Sequence, residues 1–226
     1  MKIRAIKLFS VALLISSFFL TGCNDEFDAS RPTYWPELTL TGDAFQIITV
    51  GDPYTDEGAV ATINGAPVAY TTDGAVDPNT AGYYVITYSV ANEDGVEATV
   101  KREVLVVDPA ALADDLSGSY IRSATGAVST WAKDPSQDYA YIANNPGGVA
   151  SNPPFDVQFT IYNVAPGKVV VPLQQHGLLA PFYCSASLGG PLQIDFNVGA
   201  TPGDLAYAWV VNGANFGTGL RSFYKQ

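Results

Sequence analysis

Three kinds of side chain in this chain could do chemistry: one histidine, two cysteines and 22 carboxylates. His176 stands alone in Gln174-Gln175-His176-Gly177, so neither a histidine-based zinc site nor an HExxH helix can exist. A Ser-His-Asp arrangement would have to use His176, yet no Gly-x-Ser-x-Gly elbow occurs, and the residue reads as an exposed turn histidine. Glycoside hydrolysis needs two carboxyl groups about 5 to 9.5 Å apart. Asp134 with Asp138, or Asp156 with Asp195, are the candidate pairs, but nothing beside them marks a cleft and they read as surface charges. Asp52, Asp56 and Glu57 suggest Ca²⁺ without the regular alternation of oxygen ligands that such a loop needs, so they read as a solvated turn. There is no Walker loop and no GxGxxG opening a helix. The expectation is a protein with no catalytic residue, no metal and no cofactor.

Aromatic residues on polar faces are a better lead. Sugars stack their axial C–H patches on Trp and Tyr rings while amide and carboxylate neighbours bond their hydroxyls. In Ser129-Thr130-Trp131-Ala132-Lys133, period two puts Trp131 on the face of Ser129 and Lys133. Tyr162 falls with Gln158 and Thr160, and Tyr183 with Ser185 and Ser187. These three are the candidate ligand-binding residues, with the Gly-, Asn- and Pro-rich stretch 144–154 as the edge of a mouth; Trp209, between Tyr207 and Val211, reads as core.

The elements that must carry these residues begin after a leader. Lys2, Arg4 and Lys7 precede the apolar run from Leu8 to Leu20, too short for a comfortable span of about 20 residues, which is the pattern of a secretory signal. It ends Leu20-Thr21-Gly22-Cys23, which resembles the lipobox of bacterial lipoproteins. The resemblance implies cleavage before Cys23, diacylglycerol on its thiol and acylation of the new amino group, hence a membrane anchor without a span. Asn24-Asp25-Glu26 and Asp28 resemble the acidic export tag of surface-exposed outer-membrane lipoproteins that accompany polysaccharide-utilisation systems. With Cys23 lipidated only Cys184 remains, so no intramolecular disulfide forms; Phe182, Cys184, Ala186 and Leu188 share an apolar face, and the thiol reads as buried and inert.

Without residues 1–22 the chain has 204 residues with eight Lys+Arg against 22 Asp+Glu, a net charge of −14. Such a chain repels phosphate backbones and offers no basic stripe, which excludes nucleic acid as a partner. With 21 Gly, 15 Pro, 13 Tyr, 11 Phe and one Met, the composition favours strands joined by turns.

Residues 23–40 read as a lipid-anchored tether, its Pro32 and Pro36 breaking any periodicity. Residues 41–108 alternate in short runs, among them Phe45 to Val50, Ala66 to Thr72, Thr80 to Val90 and Val96 to Asp108, the last two joined at Asn92-Glu93-Asp94-Gly95 as a hairpin. About seven strands in 70 residues predict a small β-sandwich. Tyr54-Thr55-Asp56-Glu57-Gly58-Ala59, Gly82 to Tyr88, Asn92 to Gly95 and Arg102 to Asp108 resemble, in order and spacing, the bacterial Ig-like, HYR-like domains. That resemblance implies a spacer rather than an enzyme, with a middle loop shortened around Ile63-Asn64-Gly65.

Residues 109–115 form a linker with room for one helical turn, and residues 116–226 a second antiparallel β domain. Its strands are read at 118–124, 128–133, 139–143, 155–164, 168–173, 181–188, 192–198, 207–212 and 217–224, a meander that closes on itself as a barrel or sandwich to remove exposed edges. Leu116 to Tyr120 and Arg221 resemble the first and last strands of lipocalin-like barrels. The fold class is all-β, and the whole arrangement resembles surface lipoproteins of the same bacterial group. Two functions fit: a non-catalytic outer-membrane lipoprotein whose Ig-like spacer presents a β domain to glycan or another extracellular ligand, or an assembly module gripping a neighbouring outer-membrane protein. Exposed coplanar aromatics with polar neighbours would favour the first, and a flat apolar patch of several hundred Å² the second.

Overall fold

A computed structural model describes residues 32–150, 157–172, 174, 182–184, 192–213 and 217–226. Cys23, His176 and Asp156 lie outside the described residues, as do the side chains of Tyr183, Cys184 and Trp209. No helix of the described residues is long and apolar enough to cross a membrane.

The first half is a sandwich of seven strands: β1 (Pro36–Leu40), β2 (Phe45–Thr49), β3 (Ala59–Ile63), β4 (Ala66–Pro67), β5 (Thr71–Asp73), β6 (Gly82–Ala91) and β7 (Glu97–Val107). They form two sheets, β1-β3-β4 and β2-β7-β6-β5, with β2 parallel to β7 and the β6–β7 hairpin at its centre. Pro36–Leu40, read above as tether, is a strand paired with β3. Its proline sits at the first position of an edge strand, where the missing N–H costs no ladder bond. In β6 the expected face is buried: Ile86, Tyr88 and Val90 lie in the sandwich core with Val104 and Val106 from β7.

The second half runs β8 (Gly118–Arg122), β9 (Val128–Lys133), β10 (Ala140–Asn144), β11 (Gln158–Ala165), β12 (Lys168–Val171), β13 (Phe182–Cys184), β14 (Leu192–Asp195), β15 (Leu205–Gly213) and β16 (Gly217–Lys225). All pair antiparallel in the order β13-β15-β16-β8-β9-β10-β11-β12-β14. The sheet curls into a nearly closed barrel, in which Asn197 N–H, just past β14, donates to Ala206 O on β15 at 2.8 Å. The interior is filled by Tyr120, Trp131, Tyr141, Phe159, Phe196, Tyr207 and Phe223 with smaller aliphatics between them, so it is a packed core and not a ligand cavity.

The two halves meet face to face. Leu105 and Val107, on the outer face of β7, pack with Phe45, Ala81 and Tyr83 against Ala140, Tyr162, Val164 and Val170 on the barrel's outer wall. The runs Val104–Val107 and Val169–Val171 are apolar at every position because each strand is covered on both sides. The linker is pinned rather than slack. Pro109–Ala113 forms one 3-10 turn capped by Asp108. Asn163 Nδ2 donates to Ala111 O at 2.8 Å, and Gly167 N–H donates to Asp114 Oδ2 at 3.0 Å. Asp108 N–H bonds Val164 O at 2.8 Å, continuing the contact through the backbone.

Candidate functional site

Two of the three predicted aromatics have other work. Trp131 is only 2% exposed and points into the barrel, where its Nε1–H donates to Tyr207 Oη at 3.1 Å. The face inferred for it was correct but its environment was not: Ser129 is also fully buried, satisfied by Asn144 O at 3.0 Å. A serine whose hydroxyl bonds a carbonyl can sit inside a barrel, so a polar neighbour did not signal solvent. Tyr162, 8% exposed, stacks between Phe45 and Tyr83 of the sandwich. Burial, aided by Glu103, pushes the Tyr83 hydroxyl well above its ordinary range. The Tyr183 backbone pairs with Asn212 in β13–β15. The structure does not bring the rings of Trp131 and Tyr162 together on a surface.

The described part of the stretch expected to edge a mouth, residues 144–150, packs against β8 and β16 instead. Pro146, Gly147 and Gly148 are buried, Asn145 takes a positive φ of 48° and accepts from Val149 N–H at 2.9 Å. Arg122 and Arg221, both facing inward, donate to Gly147 O. Of the acidic turn, Asp56 is committed elsewhere: it pairs with Arg102, which is fully buried, and accepts from Tyr88 Oη at 2.6 Å. Arg102 also donates to the carbonyls of Asp43, Thr41 and Gly58, so this cluster staples the sandwich from within. Asp134 lies in the exposed turn after β9, held below the usual carboxylate range by the hydroxyl and N–H of Ser136.

An open groove of about 960 Å³ lies at the seam where β14 approaches β15. Gln193, Asp195 and Asn197 point outward from β14 while Ile194 and Phe196 point in, as period two dictates for Gln-Ile-Asp-Phe-Asn. Asp204, just before β15, and Leu205 border the same groove, and behind them Phe196 and Tyr207, 6% and 2% exposed, stack in the barrel core 5.6 Å apart at 15°. The turn Thr201-Pro202-Gly203-Asp204 sets the second wall: Gly203 takes φ 92°, a conformation glycine adopts without strain, and Asp204 N–H closes on Thr201 O at 2.9 Å. Asp204 Oδ2 accepts from Thr201 N–H at 3.0 Å and from its hydroxyl at 2.7 Å, which holds the carboxyl below the usual range. Asn197 Nδ2 donates to Leu205 O at 3.2 Å, leaving its carbonyl oxygen for another partner.

Of the residues lining this groove only Asp195 had been singled out, and with a different partner. The alternation in Leu192 to Val198 was legible. That Asp204 would border the same groove was not, because only closure of the barrel sets β14 beside β15.

Comparison with known proteins bears on the first half of the chain. Residues 38–106 match the family of the bacterial surface protein, Ig-like domain. No curated protein matches the chain. Among solved structures, a lipoprotein of Bacteroides thetaiotaomicron aligns over 85% of this chain and all of its own at 17% identity, with a TM-score of 0.41. Two Clostridium perfringens ZmpB structures align more loosely. One, the M60 catalytic domain with CBM51-1 and CBM51-2, is 14% identical over 85% of this chain and 21% of its own, with a TM-score of 0.29. The other, CBM51-2 in complex with GlcNAc and INT domains, is 13% identical over 84% and 48%, with a TM-score of 0.27.

Proposed function

We propose that this is a non-catalytic lipoprotein of the outer membrane, anchored through Cys23, whose Ig-like domain braces a barrel that binds an oligosaccharide at the β14–β15 seam. The observation that carries the reading is the groove itself: the amides and carboxylates of Gln193, Asn197, Asp195 and Asp204 gathered where β14 approaches β15. Hydroxyl-rich ligands are recognised by such fixed polar groups. The Ig-like match supports a surface location. Calorimetry of the chain lacking residues 1–22 against a polysaccharide panel tests the binding, and absence of heat across the panel overturns it. Mass spectrometry of native material tests the anchor, and an unmodified intact leader overturns that.

A second reading, docking onto a neighbouring outer-membrane protein, is favoured by an apolar row on the outer wall of the barrel that starts at the edge of the groove. There Leu205, Tyr224, Ile121 and Val128 stand opposite one another in register across β15, β16, β8 and β9, with Leu220 at 69% exposure beyond them. Leu220→Lys would abolish co-purification with such a protein while leaving sugar binding intact.

A further inference from the structure

The barrel wall that carries the Leu205–Tyr224–Ile121–Val128 row is uncharged throughout. Period two, shifted once by the bulge between Leu205 and Tyr207, turns alternate residues of β15, β16, β8, β9, β10 and β11 outward. Among the described residues these are Leu, Ile, Val, Ala, Tyr, Ser, Thr, Asn and Gln. The six strands hold no Asp or Glu, and their basic residues, Arg122, Lys133, Arg221 and Lys225, alternate in step with the inward Tyr120, Trp131 and Phe223. A surface of ordinary composition is about a quarter charged or more, so a wall this wide should show several charges. Loss of charge around an apolar row is the composition of an interface core.

We infer that this wall is the contact between two copies of the chain. The inference rests on the docking reading and names the neighbour. Two copies that each carry a net charge of −14 without the leader repel one another at long range, and the faces that can meet with least repulsion are those with no charge of their own. The apolar row also complements itself. Its four residues stand on four successive strands, so a two-fold axis along the strands, between β16 and β8 and in the plane between the copies, sets Tyr224 of one copy on Ile121 of the other and Leu205 on Val128. With strands about 4.8 Å apart and a rise of about 3.3 Å per residue, the six-strand wall offers on the order of 400 Å² from each copy. That is the size class of weak, reversible contacts. Leu220 and Val128, 69% and 38% exposed, are the apolar side chains such a contact would take from water.

The test is sedimentation velocity of the chain lacking residues 1–22, taken up to several hundred micromolar. The mean mass should climb reversibly from one chain toward two. Association should tighten as NaCl is raised, because salt screens the repulsion between acidic chains and leaves the apolar contact. Leu220→Lys and Val128→Lys should each weaken it by about tenfold or more, since each puts an unpaired charge into the contact. Val60→Lys, which charges a 59% exposed residue on the sandwich instead, should leave it unchanged. Circular dichroism of all three variants should match the parent, because the side chains replaced are exposed. A chain that stays monomeric throughout, or a dimer that both wall substitutions leave intact, would overturn the inference. A dimer that salt dissolves would also overturn it, since charged faces would then hold the copies together. If the parent is monomeric and Leu220→Lys still abolishes co-purification with a different outer-membrane protein, the docking reading stands without the second copy; if neither effect is seen, both fall.

Discussion

The ring of Tyr162, on the barrel's outer wall, stacks on the ring of Phe45, on the outer face of the Ig-like sheet, with 5.7 Å between centroids and 26° between planes. Tyr83 lies against the other side of Tyr162 at 6.2 Å and 18°. A residue read as a ligand platform is instead the central contact joining the two halves. The sandwich is pressed sideways onto the barrel, with the linker pinned at Asn163 and Gly167.

That contact predicts coupled unfolding. The parent chain should unfold in one calorimetric transition. Tyr162→Ala, which removes a large ring from a two-sided stack, should cost about 3 kcal/mol and split the transition in two. A single unshifted transition would show that the halves are energetically independent.

Trp131→Ala should behave as a core mutant and not as a binding mutant. Its ring touches Tyr120, Phe196 and Tyr207 with centroids 4.8 to 5.7 Å apart. Urea denaturation should register a loss of roughly 3 to 5 kcal/mol. Trp131→Phe should retain the fold and bind sugar within a fewfold of the parent.

Arg102 tests the staple inside the sandwich. Arg102→Met alone strands Asp56 beside Tyr88 and should cost roughly 3 to 5 kcal/mol, whereas Arg102→Met with Asp56→Leu should recover much of that. A double-mutant cycle in urea reads the coupling, and strictly additive losses would mean that the pair does not act as a unit.

Alkaline pH provides a fourth measurement. Burial is the first cause that raises Tyr54, Tyr83, Tyr84, Tyr88, Tyr120, Tyr139, Tyr141 and Tyr162 above the ordinary phenol range. A group raised in the folded state contributes stability that is whole below its unfolded pKa of about 10 and is lost as pH climbs from there through the folded value. Stability should therefore hold to about pH 9.5 and fall above it. Of the 13 tyrosines, Tyr83, Tyr88 and Tyr120, whose shifts are the largest, should stay protonated at pH 10.5 by absorbance near 295 nm until the chain unfolds. Titration of all 13 at an ordinary phenol pKa in the folded protein would contradict the packing described.

Period-two alternation and the Gly, Pro and Asn turns were enough to determine an all-β chain with an Ig-like first half, because strand faces and turn conformations are set by residues adjacent in sequence. Residues Ile86, Tyr88 and Val90 were placed on their buried face from the text alone. What period two cannot say is whether the other face meets water or a neighbour. Tyr162 alternates with Gln158 and Thr160 yet is covered by Phe45, more than a hundred residues earlier in the chain. The unbroken runs Val104–Val107 and Val169–Val171 held the available clue, since a strand wet on one side seldom stays apolar throughout. The seam groove had no such clue. Asp195 and Asp204 border one groove only because a curling sheet returns its last strands to each other, and that closure is a property of the whole barrel rather than of any segment in it.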